Sequence, residues 1–255
     1  MNKKKLFVVS DIHSFYDIFK KELDKMGFDP NNENHWLIVC GDVFDRGFQP
    51  NELLKFLMSL ERKILIRGNH EYLLEELCIR CCPYEFDLAN GTMQTINQLT
   101  NEIDKRNNFY GEQFQVASIK LDNYFKSLIN FFETKNYIFV HSWIPVNRSS
   151  NNNYEYISNW REINFNDKKW EDATWANPFD MYKKGLNKTN KTIVFGHWHC
   201  STGHKNDGKC KDEFLEGAIW EPYYGEGVIG IDKCTAFTGR CNIIVLEDEF
   251  LEEEN

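Results

Sequence analysis

The stretch 36-WLIVCGDVFDRG-47 runs from an apolar, partly β-branched segment straight into two carboxylates and a guanidinium set between glycines. Apolar runs of four or five residues read as strands buried on both faces, inside a sheet that helices cover. Charge delivered at the end of such a strand needs solvent or a charged ligand, because burying it unpaired is expensive. The same shape recurs in 5-KLFVVSDIH-13, 63-KILIRGNHE-71, 137-YIFVHSW-143 and 192-TIVFGHWH-199.

Helical spacing fills the gaps between the first three of these segments. Phe15, Ile18, Phe19, Leu23 and Met26 share one face, with Ser14 placed to cap its start and Gly27 its end. Leu53, Leu54, Leu57 and Leu60 repeat the pattern behind Pro50. Strand, helix, strand, helix, strand predicts βαβ units, hence an α/β fold with a largely parallel central sheet. Two stretches are longer than an ordinary crossover. Residues 72–135 open helically at Tyr72, Leu73 and Leu77 and carry another apolar face at Leu121, Phe125, Leu128 and Phe132, so a helical insertion is expected there. Residues 144–190 are rich in Asn and in aromatics, among them Tyr154, Tyr156, Trp160, Trp170 and Trp175, and read as irregular, a lid or pocket wall. The pattern 228-VIGIDKCTAFTGRCNIIVLED-248 predicts two strands joined by a Gly-containing turn. One domain over residues 1–246 accommodates these elements, with 247–255 as an acidic, solvated tail.

With 255 residues, 42% hydrophobic and 15% aromatic, the chain can bury a sizeable core. It has no apolar run of roughly 18 residues, and the opening MNKKKLFVVSD breaks at Ser10 and Asp11. Neither a membrane span nor a signal peptide is expected, and the cytoplasm is the expected compartment. A net charge of -9 argues against a stable nucleic-acid complex, so an anionic substrate must meet local positive charge. The eight cysteines read as free thiols. Cys78, Cys81 and Cys82 have zinc-like spacing in their first pair, but a second pair would have to come from Cys200, His204, Cys210, Cys234 or Cys241.

Each apolar run ends in residue types that bind metals: Asp11 and His13, Asp42, Asn69 and His70, His141, then His197 and His199. In an open α/β sheet, ligands bind beyond the carboxyl ends of the strands, so topology alone predicts that these side chains converge. Five of the seven histidines sit at these ends, while His35 and His204 read as ordinary hydrogen-bonding side chains. Carboxylate, imidazole and amide donors together suit Mn²⁺, Fe or Zn²⁺. They exceed what one ion needs; two divalent ions sharing a carboxylate, Mn²⁺ foremost, would use them all.

Taken in order, 11-DIH-13, 41-GDVFDRG-47, 68-GNHE-71, His141 and 196-GHWH-199 resemble the signature blocks of the calcineurin-like metallophosphoesterases. GDVFDRG and GNHE look most like the serine/threonine phosphoprotein phosphatase branch, particularly its small bacterial and phage members. The resemblance implies a β-sandwich of two mixed sheets flanked by helices, here with helical and irregular insertions. It also implies that Asp11, His13, Asp42 and His199 hold one ion and Asp42, Asn69, His141 and His197 the other, with Asp42 as bridge. Asp45 would orient His70, and Arg46 and Asn69 would meet the phosphate.

The chemistry expected of such a pair is deprotonation of a water between the ions, in-line attack of that hydroxide on phosphorus, and protonation of the leaving oxygen by His70. The substrate is expected to be a phosphorylated protein, as phosphoserine or phosphothreonine. A nucleotide such as a symmetric dinucleoside tetraphosphate is the alternative, with the aromatics of 143–175 stacking bases. A non-enzymatic, metal-stabilised scaffold is the third reading, against which His70 and Arg46 argue. Oligomeric state is not legible in the sequence.

Overall fold

Side-chain alternation decides the architecture. In β1 (Lys4–Val9), Leu6 and Val8 point to one face and Phe7 and Val9 to the other, and all four are fully buried. The computed structural model describes residues 3–100, 111–149 and 153–251. In it, β1 pairs in parallel with β2 (His35–Cys40), which is followed by β3 (Lys63–Ile66) and β4 (Leu128–Ile129), while β12 (Ile244–Asp248) runs antiparallel on the outer side of β1. A second sheet has β6 (Tyr137–Val140), β9 (Thr192–Phe195) and β11 (Val228–Gly230) in parallel, flanked by antiparallel β5 (Phe131–Glu133) and β10 (Tyr223–Gly225). A ribbon of β7 (Val146–Arg148) and β8 (Tyr154–Tyr156) stands apart.

The inner faces of the two sheets share one core: Leu6, Val8, Ile38, Cys40 and Ile66 from the first meet Phe139, Val194 and Ile229 from the second. On the outer face of the first sheet lie α1 (Tyr16–Lys25), α2 (Pro50–Ser59), α3 (Asn69–Arg80), α5 (Thr92–Leu99) and α6 (Glu112–Lys126), with short α4 (Glu85–Asn90) beside them. The second sheet is covered by α7 (Lys168–Thr174), α8 (Pro178–Lys183) and α9 (Cys200–Asn206). The architecture is thus the sandwich that the resemblance implied, not a single parallel sheet. Strands buried on both faces read alike in either arrangement, since covering helices and a covering sheet bury side chains equally well.

Other expectations are corrected. The closing segment is not a hairpin: β11 and β12 lie in different sheets, and α10 (Thr235–Thr238) sits in the crossing between them. Ser14 does not cap α1; Phe15 occupies that position, and Ser14 is buried with its N–H donating to Val43 O at 2.7 Å. Gly27 does follow the helix end, with φ +77°. The apolar face expected through Phe132 stops with α6 at Lys126, so Leu128 and Phe132 are strand residues. Within the helical insertion, residues 101–110 lie outside the described residues. The tail begins later than expected, because Phe250 packs against Trp36 and Phe132, leaving 252–255 outside the described residues. No helix among the described residues is long and apolar enough to cross a membrane.

Phe139→Ala, which empties the space between the sheets, should lower the unfolding free energy by about 3–5 kcal/mol in urea titrations. Phe48→Ala, at a ring 73% exposed, should stay within about 0.5 kcal/mol of the parent.

Candidate metal centre

A carboxylate holds the loops of the site together. Glu71, fully buried in the first turn of α3, accepts from the backbone N–H groups of Asp42 (2.9 Å), Val43 (2.9 Å) and Gly68 (2.7 Å), and from the Tyr124 hydroxyl (3.0 Å). The loop after β2 and the loop after β3 are thereby clamped to one another. Around this clamp Asp11, His13, Ser14, Asp42, Asp45, Arg46 and His197 all have φ between +50° and +72°. L-residues pay about 1–3 kcal/mol for such backbone, which persists only where the surroundings enforce it. At Gly41, φ is +77° and a Cβ would strike the His141 ring. At Gly47 the constraint is close approach: a Cβ there would strike the His13 carbonyl.

Hydrogen bonds determine which nitrogen of each imidazole is free. His13 Nδ1 lies 2.9 Å from Phe44 O and His141 Nδ1 lies 2.9 Å from Cys40 O, so each donates through Nδ1 and presents Nε2 as a lone pair. His197 Nδ1 lies 3.1 Å from His141 Nε2, so the two rings face each other nitrogen to nitrogen. Burial, and then the neighbouring imidazoles, hold His13 and His141 well below the usual histidine range, and burial pulls His197 down to about 3. All three are neutral at neutral pH. His141 Nε2 then faces Asn69 Oδ1 at 2.8 Å, His197 Nδ1 at 3.1 Å and Asp42 Oδ1 at 3.4 Å. With Asn69 assigned in this orientation, two imidazole nitrogens, an amide oxygen and a carboxylate oxygen converge, a donor set that suits a cation.

Ligand atoms of Asp42, His141 and His197 lie within 4.8 Å of one another, and so do those of His13, Asp42 and His70. Asp42 belongs to both groups, as a bridge must. Asp11 and His199 line the same cavity of about 230 Å³ but stand outside both groups. Asp11 Oδ2 accepts from His197 N at 2.9 Å, and His199 Nε2 faces Glu213 Oε2 at 3.3 Å. Burial, then the charge of Asp232, raises Asp11 well above the carboxylate range; burial, then Asp11, does the same to Asp42. The donor set is neutral imidazole, amide oxygen and carboxylates that gain from positive charge. It fits divalent ions of intermediate softness.

Beside these groups, His70 Nδ1 bonds Asp45 Oδ2 at 2.7 Å, leaving Nε2 toward the cavity. Asp45 is fully buried, yet Thr92 and Thr95 of α5 donate their hydroxyls to it at 2.8 and 2.7 Å. The helical insertion therefore supplies the partners of Asp45. Arg46 spreads its fork across the two rings, 3.0 Å from His13 Nε2 and 3.0 Å from His70 Nε2.

Sequence reasoning gave no role to Glu71, Thr92, Thr95 or Asp232. Glu71 was in view as the last residue of GNHE, and Thr92 and Thr95 show only as an i, i+3 pair of hydroxyls. Asp232 lines the cavity, and burial pushes it up to about 6. Of the aromatics in 143–175, Trp143, Trp160 and Trp170 are core; Trp175, 46% exposed, reaches the cavity wall. Glu71→Gln should cost about 3–6 kcal/mol, two charge-assisted bonds at about 1.5–3 kcal/mol each, and Tyr124→Phe one such bond. Chemical denaturation together with metal analysis checks this: the glutamine variant should also hold less metal.

Three likenesses bear on this geometry. A stretch of 67 residues, 26% of the chain, is 34% identical to a symmetrical bis(5'-nucleosyl)-tetraphosphatase of Xanthomonas axonopodis pv. citri, of which it spans 21%. A stretch of 72 residues, 28% of the chain, is 35% identical to the enzyme of that description from Aromatoleum aromaticum, of which it spans 26%. The fold superposes on a cold-active protein-tyrosine phosphatase of a psychrophilic Shewanella species with a TM-score of 0.52 and 18% identity, over 95% of this chain and 75% of that one. The matched stretches cover only about a quarter of those curated relatives, whereas the family model described as calcineurin-like phosphoesterase matches residues 4–224. The chain belongs to the calcineurin-like phosphoesterase family.

Proposed function

We propose that the chain is a two-metal phosphoesterase that hydrolyses phosphomonoesters, with phosphoserine and phosphothreonine side chains as its substrates. The observation that carries this reading is Asp42 shared between two groups of ligand atoms, with the His70 and Asp45 pair and the Arg46 fork opening on the same cavity.

In this reading Asp11, His13, Asp42 and His199 hold one ion, and Asp42, Asn69, His141 and His197 the other, His199 turning from Glu213 to do so. Such a pair supplies charge for the phosphate oxygens and acidifies the attacking water. The remaining work falls to the chain. Once His13 Nε2 serves as a ligand atom, Arg46 Nη1 must leave it, and the fork becomes available for two phosphate oxygens. His70 keeps one proton on Nδ1 for Asp45 and offers Nε2 as the atom that carries a proton to the leaving oxygen. Asp45, held by two threonines, fixes the ring in that orientation. Arg46 is the only cationic side chain among the described residues lining the cavity, which suits one phosphoryl group better than a chain of four.

A second reading, nucleotide hydrolysis, is favoured by Trp175 and Trp198 in the cavity wall and by the tetraphosphatases among the relatives. Aromatic faces at that position suit a base. Rates from a phosphothreonine peptide and from a dinucleoside tetraphosphate separate the two. A hundredfold preference in kcat/KM, about 2.7 kcal/mol of transition-state binding, for the peptide is the expected result. The reverse preference would replace the first reading with the second.

Asp42→Asn should abolish turnover and lose metal, whereas His70→Ala should slow turnover by about 10²–10⁴ and keep both ions, as metal analysis would show. Metal also sets the pH dependence of stability. Burial holds Asp11 and Asp42 well above the ordinary carboxylate pKa of about 3.9 in the folded protein. Without a cation, their contribution is complete below that value and is lost as pH rises through the folded values. A cation takes the place of the proton, so Mn²⁺ should raise Tm more at about pH 7.5 than at about pH 5.5. At 100 times Kd the gain is about 2.7 kcal/mol. An equal rise in Asp42→Asn, followed by scanning calorimetry, would count against the bridge.

A further inference from the structure

The segment from Asp232 to Cys241 lines two cavities with different residues. Asp232, Cys234, Thr235 and Ala236 face the metal cavity. Lys233 and Arg240 instead join Lys21, Glu22 and Lys25 of α1 around a second cavity of about 470 Å³. The two cavities share no lining residue.

The second cavity gathers four cationic side chains against one carboxylate, on a chain whose net charge is -9. The carboxylate is already engaged: Glu22 Oε1 pairs with Lys25 Nζ at 2.6 Å. Lys233 is divided between Glu221 at 3.5 Å and Asn242 Oδ1 at 3.2 Å. Lys21 and Arg240 make no ion pair among the described residues. Cations set around a concavity repel one another and raise the local concentration of anions. An arginine beside lysines adds the forked geometry that matches phosphate oxygens, which lysines alone lack.

We propose that this cavity is a second, non-catalytic anion site that takes a small diphosphate or polyphosphate anion, back to back with the metal centre across residues 232–241. The site does not depend on which ester the metal centre cleaves. Its volume admits more than one phosphoryl group, and its cations come from two elements, α1 and the 233–240 segment, so a bound anion bridges them.

Calorimetric titration of the Mn²⁺-loaded protein with imidodiphosphate, a pyrophosphate analogue bridged by nitrogen, tests this with Mn²⁺ in excess. Two equivalents should bind. The double variant Lys21→Glu, Arg240→Glu should weaken one of them by at least about tenfold, through loss of a charge-assisted fork, with metal content and thermal midpoint unchanged. Arg46→Ala should keep that equivalent and weaken the other. The same charge reversal at Lys126 and Lys168, both outside the cavity, should keep both. A single equivalent that Arg46→Ala removes and the double variant leaves alone would overturn the site. So would no binding at all, or a loss in the double variant matched by the Lys126 and Lys168 control.

Discussion

The carboxylate of Glu71 is the constraint on which the site rests. A buried charge survives in a fold only when its lone pairs are taken, and here three backbone N–H groups and the Tyr124 hydroxyl take them. Two of those N–H groups belong to Asp42 and Val43, just beyond β2, and one to Gly68, just beyond β3. One side chain therefore sets the separation of two strand ends from which Asp42, Asn69 and His70 project. Tyr124 extends the clamp to α6, so part of the helical insertion is tied to the centre. The left-handed backbone at Asp42, Asp45 and Arg46 is stored strain that this clamp and the threonine bonds to Asp45 oppose.

What was legible in the sequence was local. Apolar runs that stop at polar residues mark strand ends wherever they occur, and the topological rule for strand ends then brings Asp11, His13, Asp42, Asn69, His70, His197 and His199 to one cavity, with His141 bonded to Asn69 beside it. Whether two such strands share a sheet is not local. Val228 to Gly230 and Ile244 to Asp248 both open as short apolar runs, yet each pairs with a different sheet, because a sandwich offers two inner faces of equal polarity. Ser14 has the right residue type for a cap, but its backbone is taken by Val43 and turned through φ +59°. Local preference yields there to the approach of the Asp42 loop.

The threonine bonds to Asp45 were illegible for a related reason. Thr92 and Thr95 are 47 and 50 residues away in the chain, and nothing in their neighbours points to a buried carboxylate. The insertion expected to be irregular instead carries β7, β8, α7 and α8, and its aromatics misled in the opposite direction. Trp160 and Trp170 looked available for stacking, but they pack with Phe131 beneath the second sheet. Size predicts burial better than it predicts binding, and of the tryptophans in this segment only Trp175, at the end of α7 beside His197, escapes the core.

Charge completes the physical picture. The fold buries Asp11, Asp42 and Asp232 around neutral imidazoles, and only Arg46 among the described lining residues brings positive charge to them. A chain with this balance holds its carboxylates at the expense of stability unless cations or protons join them. Strain at the loops and excess negative charge in the cavity thus have the same consequence: the geometry is fully satisfied only with ions bound. In the proposed reading, bound ions would turn a cavity that repels anions into one that attracts them, and would release the guanidinium that spans His13 and His70 for phosphate oxygens.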